Sequence, residues 1–207
     1  DWETIEKFAD FINNAGYGYF SPVEIMNDAE LRAQFDTNFF GPAALTRALL
    51  PALRNAHGKI INVSSVVGRI SLAGYGAYSG SKFALESLTE ALRYEVYDQG
   101  VQVCLVEPGA FKTEFTRGSI RKAETKGTLY ENPFRNLMSW MDEKAKWSGN
   151  PEVVARKLVA LSDNSKLKFR YPIGRDATML LSLQRWMPLE LWVRTFQWYF
   201  KQFVFRR

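Results

Sequence analysis

Apolar residues in this chain follow two rhythms that alternate. Nearly continuous apolar runs at residues 59–64 and 101–106 read as buried strands, with shorter ones at 10–12 and 168–173. Between them lie stripes at helical spacing. Leu31, Phe35, Phe39, Leu45 and Leu49 predict a helix over 29–54, capped by Asn27 or Asp28 and disturbed at Gly41-Pro42. A second long helix is predicted over 77–97, with Gly100 as its stop. A third starts at the Asn150 cap, has Pro151 in its first turn and runs to about 161. Asp176 opens a last helical region that Pro188 interrupts, and Ile5 and Phe8 give residues 1–9 a short helical pattern. Strands alternating with amphipathic helices imply an α/β fold, a parallel sheet joined by helical crossovers. Ligands bind such sheets at the carboxyl ends of the strands.

The rhythm breaks twice. Residues 112–149 are long and basic, and carry Phe115, Tyr130, Phe134, Trp140 and Trp147. An insertion of this length at the ligand end reads as a lid or substrate loop, with a solvated excursion containing helical pieces as the alternative. Residues 176–207 form a helical extension. In its tail Leu191, Trp192, Phe196, Trp198, Tyr199, Phe200, Phe203 and Phe205 leave little polar face, among Arg194, Lys201, Arg206 and Arg207. Such a tail packs on its own domain or a partner subunit, or lies on a membrane surface.

Composition narrows this picture. With 207 residues, 46% of them hydrophobic, the chain is a single domain with a sizeable core. Its net charge of +5 is not gathered into one block, so nucleic acid is not expected as a partner. His57 is the only histidine and Cys104 the only cysteine, so no metal-ligand set and no internal disulfide are expected. Cys104 in its apolar run reads as a small buried hydrophobe in a reducing compartment, and the expected location is the cytoplasm, with membrane association as an addition. No run of about 18 apolar residues is present. The opening DWETIEKF has neither a start Met nor a signal-like pattern and reads as the middle of a longer protein.

Candidate chemistry gathers at 60–82, IINVSSVVGRISLAGYGAYSGSK. A buried strand ends in Ser64 and Ser65, a Gly-rich loop follows, and Tyr78 and Lys82 stand four residues apart on the next helix, on one face. A phenol, an ammonium and a strand-end hydroxyl converging on one cleft make a device for moving a proton at neutral pH.

With these residues in view, the chain resembles the short-chain dehydrogenase/reductase family from Asn13 to about Thr113. NNAG at 13–16 is similar to its strand-four motif, Asn38 in QFDTNFFG to its active-site asparagine, and Ser65 to its catalytic serine. Tyr78-Ser79-Gly80-Ser81-Lys82 matches its YxxxK, and the stretch Pro108-Gly109-Ala110-Phe111-Lys112-Thr113 resembles its PGxxxT loop at the nicotinamide end. A lone YxxxK is weak, whereas these motifs in order are not. RYPIGRDA at 170–177 is more loosely similar to members acting on bulky apolar alcohols and ketones. The family's Gly-rich phosphate loop, TGxxxGxG, and the residue that reads the ribose are absent from this sequence, so the first β-α units are expected to precede or be missing from it.

The resemblance implies a Rossmann-like, doubly wound fold and an NAD(P)-dependent oxidoreductase interconverting an alcohol and a ketone or aldehyde, on an apolar, steroid-, retinoid- or lipid-like substrate. NADP is placed slightly ahead of NAD, with the deciding residues upstream. Tyr78, Lys82, Ser65 and Asn38 are the implied catalytic set; Asn13, Ala15, Gly16, Tyr78, Lys82, Pro108, Gly109, Phe111 and Thr113 are implied to line the cofactor. Tyr78 would act as general acid and base, Ser65 would donate to the substrate oxygen, and Asn38 would hold a relay water. Lys82 would hydrogen-bond the ribose and acidify the phenol. A positive charge at ~4 Å is worth about 4 kcal/mol at an effective dielectric of ~20, or roughly three pKa units. The helices carrying Asn38 and Tyr78 commonly pair across a dimer axis in the family, which implies a homodimer. The rival reading is a catalytically silent scaffold that keeps the fold for dimerisation or membrane contact.

Overall fold

A computed structural model describes residues 10–112 and 119–203. In chain order the elements are β1 (Asp10–Asn13), β2 (Gly18–Phe20), α1 (Asp28–Phe35), α2 (Gly41–Asn55), β3 (Lys59–Val63), α3 (Gly76–Glu95), β4 (Gln102–Pro108), β5 (Ile120–Lys122), α4 (Glu131–Lys146), α5 (Glu152–Ser162), β6 (Arg170–Ile173), α6 (Arg175–Trp186) and α7 (Leu189–Phe203). Four strands make one sheet in the order β1-β3-β4-β6, every pair parallel. Its centre is the continuous apolar run foreseen at 59–64 and 101–106. Ile60, Ile61, Val103, Cys104, Leu105 and Val106 are all buried, as a strand covered by helices on both faces requires.

Helix α1 begins at Asn27, whose side chain accepts from the Glu30 amide at 3.1 Å. The single helix predicted over 29–54 is interrupted earlier than Gly41-Pro42 would suggest. Residues Asp36–Phe40 form a π-helical turn between α1 and α2, and Asn38 lies inside it, fully buried. Such turns are uncommon and often mark functional positions. Helix α5 starts as expected, with Asn150 Oδ1 accepting from the Glu152 amide at 3.0 Å.

Residues 119–149, the described remainder of that stretch, are more ordered than a solvated excursion. β5 pairs in parallel with β2 as a second, two-stranded sheet, and α4 buries Phe134, Leu137 and Met138. Thr113 and Phe115 lie outside the described residues. The tail packs on its own domain: Trp192 and Phe200 join Phe134, Leu137, Tyr78 and Phe20 in one core cluster. Trp140 Nε1 donates to the Tyr199 hydroxyl at 2.8 Å, tying α4 to α7. On the outer side Met179, Trp186, Leu189 and Leu191 remain exposed. Among the described residues, no helix is long and apolar enough to cross a membrane.

Candidate active site

The chemistry-bearing residues come from the carboxyl ends of β1, β3 and β4, from the π-helical turn that holds Asn38 and from the first turns of α3. Strand β3 ends at Val63, and Ser65 then caps a short 3-10 turn over Val66–Gly68, its Oγ accepting from the Val67 amide at 3.3 Å. The same Oγ lies 3.4 Å from the Pro108 carbonyl at the end of β4 and shares a side-chain hydrogen bond with Tyr78. Ser65 and Tyr78 thus stand together at the carboxyl end of β3. Tyr78 and Lys82 are both buried on α3, with the Phe20 ring 5.9 Å from the Tyr78 ring.

The electrostatics differ from the sequence expectation. Burial dominates at Tyr78 and pushes its phenol up to about 12, with the Ser65 hydrogen bond pulling the other way. The acidification expected from Lys82 is not among the influences described at this phenol, whose pKa is raised rather than lowered. The Lys82 ammonium donates to the Val63 carbonyl at 2.8 Å, and burial lowers its own pKa to about 8, against a raising contribution from Glu86. Desolvation penalises the charged form of both groups and outweighs their partners.

Asn38 bridges three segments. Its Oδ1 accepts from the Tyr17 amide at 3.2 Å, and its Nδ2 donates to the Tyr17 carbonyl at 3.0 Å and the Ser81 hydroxyl at 3.1 Å. Both amide hydrogens are therefore used, and anything further at this side chain falls to the second lone pair of Oδ1. Asn13 is buried and donates to Asn62 Oδ1 at 2.7 Å, and Asn62 in turn donates to Thr89 at 2.8 Å. This chain of amides fixes β1 against β3 and both against α3. Ala15 is exposed beyond the strand end. A Cβ placed on Gly16 would come within 3.1 Å of Asn38 Oδ1 and 3.7 Å of Lys82 Nζ. The glycine thus leaves a cradle beside the ammonium that any other residue would fill.

Pro108 and Gly109 end β4, where the Gly109 amide donates to the Ile173 carbonyl at 2.8 Å. The Phe111 ring packs in the core with Ile61, Val106, Leu161 and Ile173, so it anchors the loop from beneath. Thr113, the last residue of that motif, is outside the described residues.

Beneath the site lies an ion network that sequence motifs do not reveal. Arg170 on β6 meets Glu86 at 2.7 Å, Glu90 at 2.8 Å and Glu107 at 3.3 Å, and Arg69 meets Glu107 at 3.3 Å. Glu86 and Glu107 are buried. Glu86 is one turn beyond Lys82, and burial is the largest of the influences that raise its carboxyl to about 7. The only sequence signal for it was an acidic residue on the buried side of a helix, four positions after the lysine.

The short chain dehydrogenase pattern matches residues 3–124, and the chain belongs to that family. It is 40% identical over 181 residues to VdlC of Helicobacter pylori, described as a probable short-chain type dehydrogenase/reductase, covering 86% of this chain and 66% of that protein. To the rat protein named 17-beta-hydroxysteroid dehydrogenase type 6 it is 39% identical over 193 residues, 87% of this chain and 61% of the relative. The chain therefore spans two thirds or less of the length of these curated relatives. Among solved structures, a short-chain dehydrogenase from Streptomyces avermitilis is 34% identical with a TM-score of 0.71, covering 90% of this chain and 76% of its own. A Burkholderia cenocepacia short chain dehydrogenase solved with NADP shares the fold at 24% identity, with a TM-score of 0.65, covering 93% of this chain and 70% of its own.

Proposed function

We propose that this oxidoreductase is NAD(P)-dependent and interconverts an apolar secondary alcohol and its ketone, with Tyr78 as the proton-transferring group. The observation that carries the reading is the Ser65–Tyr78 hydrogen bond with Lys82 one turn further on the same helix, at the ligand end of a parallel sheet. A nicotinamide supplies or accepts the hydride, which no side chain can. The Gly16 cradle beside Lys82 Nζ suits the close approach of a nucleotide sugar, and Asn13 to Gly16 with Pro108 to Phe111 border the same strand ends. In reduction, Ser65 orients the carbonyl oxygen and Tyr78 delivers its proton to it. A phenol held up at about 12 stays protonated at neutral pH, which suits the reductive direction. Lys82, charged below about 8, holds the sugar and the positive potential around the new phenolate.

The apolar substrate class is supported by the rat relative's printed name and by the aromatic surroundings of Tyr78, Phe20 and Tyr75. A cavity of about 200 Å³ between Pro22, Val23, Gly74, Tyr130, Phe134 and Leu137 adds apolar room close by, although Tyr78 does not line it. Exposed Leu45, Phe83 and Tyr94, with Phe40 in the turn just before α2, support a homodimer through α2 and α3. The exposed apolar residues of α6 and α7, with exposed Arg175, Arg185, Arg194 and Lys201, support peripheral contact with an anionic membrane surface.

The experiment follows oxidation of NADPH and NADH by the full-length protein with a steroid ketone, a long-chain ketone and a short polar ketone. Turnover of the first or second at more than about tenfold the efficiency of the third is expected. Preference for the polar ketone would contradict the substrate class.

A further inference from the structure

RYPIGRDA, at 170–177, takes no part in the chemistry above, yet its two ends hold the site from opposite sides. Arg170 at one end binds Glu107, directly before Pro108, and Glu86, one turn beyond Lys82. At the other end Asp176 stands in the first turn of α6. A carboxylate there ordinarily accepts from its own helix's free amides. Instead its Oδ2 accepts from the Ala110 amide at 2.7 Å, across 66 residues of chain. Two glycines make room for this one carboxylate. A Cβ on Gly109 would fall on its carboxylate atoms, and a Cβ on Gly174 would meet Oδ1. Gly174 also has φ +107°, where other residues are strained. The far side of the same loop is fixed by the Gly149 amide donating to the Ala110 carbonyl at 3.0 Å, and by Phe111 packing against Gly149.

We propose that Asp176 is a positioning residue for the loop Pro108-Gly109-Ala110-Phe111, holding it through the Ala110 amide at the geometry that the cofactor meets. The inference rests on the nicotinamide-dependent reading given above. Asp176 acts through the loop. Small displacements of a binding loop cost binding and rate together.

The test uses the full-length protein with Asp176→Ala, Asp176→Asn, Gly109→Ala and the double variant Asp176→Ala/Gly109→Ala. Reduced dinucleotide binding is read by fluorescence titration, melting by calorimetry, and opening of the loop by amide hydrogen exchange at Ala110. Asp176→Ala is expected to weaken dinucleotide binding about tenfold and accelerate Ala110 exchange, with melting within a few degrees of wild type. Asn, which keeps an acceptor, restores both. Gly109→Ala resembles Asp176→Ala, and the double variant is no worse than either, because the two changes break one contact. Unchanged exchange and binding in Asp176→Ala, or strictly additive effects in the double variant, would overturn the proposal. If the wild type binds no dinucleotide, the cofactor reading fails. Faster exchange in Asp176→Ala then upholds the clamp alone, and unchanged exchange removes it as well.

Discussion

At Lys82 burial and a neighbouring carboxylate pull in opposite directions. Desolvation draws it down to about 8, and the Glu86 carboxylate, one turn along α3, draws it back up. Glu86→Gln removes that support, so the lysine loses its proton at lower pH. Reduction needs Lys82 charged and Tyr78 protonated, so its rate falls as pH rises through the lysine pKa. The alkaline limb of the kcat/KM profile is therefore expected to move toward acid in Glu86→Gln, read from rates across pH 6 to 10, a span of order four units. A limb that stays put would separate Glu86 from the site. Ser65, Tyr78, Lys82 and Asn38 were legible in the sequence because short motifs carry them. Glu86, Glu107, Arg170 and Asp176 were not, because their partners lie far along the chain: Arg170 is 84 residues from Glu86, and Asp176 is 66 from Ala110. The expected acidification of the phenol failed for a related reason. Spacing places two groups on a face but says nothing of how deeply they are buried, and here burial decides the sign.

Elements set where those residues stand. The start of α3 is held against α4 at Gly74, whose φ of +77° and whose contact with Leu137 both forbid a side chain: a Cβ would approach Leu137 Cδ2 to 2.5 Å. Gly74→Ala is expected to cost about 1–3 kcal/mol through strain and overpacking. Calorimetry should show a melting point several degrees lower, and an unchanged one would mean that α4 moves away at no cost. The main sheet was readable because its strands are apolar runs between helix-period stripes. β2 and β5 were not, because each has three residues, too few for a period, and β2 is buried throughout without alternation. The π-helical turn escaped for a similar reason. An extra residue within a turn shifts the stripe only slightly, and its visible cause, Asn38 bonded to Tyr17 and Ser81, is a contact across 21 and 43 residues.

At the scale of the whole molecule two surfaces carry exposed apolar side chains, and the proposed dimer and membrane contact belong there. The outer sides of α2 and α3 expose Leu45 and Tyr94, 52% and 69% accessible, and α6 exposes Trp186, 81% accessible, beside Arg175 and Arg185. Light scattering is expected to give the mass of a dimer that Phe83→Glu reduces to one protomer. Co-sedimentation is expected to show binding to anionic vesicles, weakened by salt, that Trp186→Ser reduces. A protomer mass in the wild type, or no vesicle binding at low salt, would contradict the respective assignment. The account as a whole rests on one phenol. Tyr78→Phe removes a single oxygen and leaves the ring, its packing on Phe20 and Lys82 in place. Single-turnover reduction of an apolar ketone, measured beside dinucleotide affinity in the same variant, is the most direct test. The account predicts a rate lower by about 10²–10⁴ with affinity within about threefold of wild type. A rate within tenfold of wild type would show that the proton comes from elsewhere and contradict the assignment.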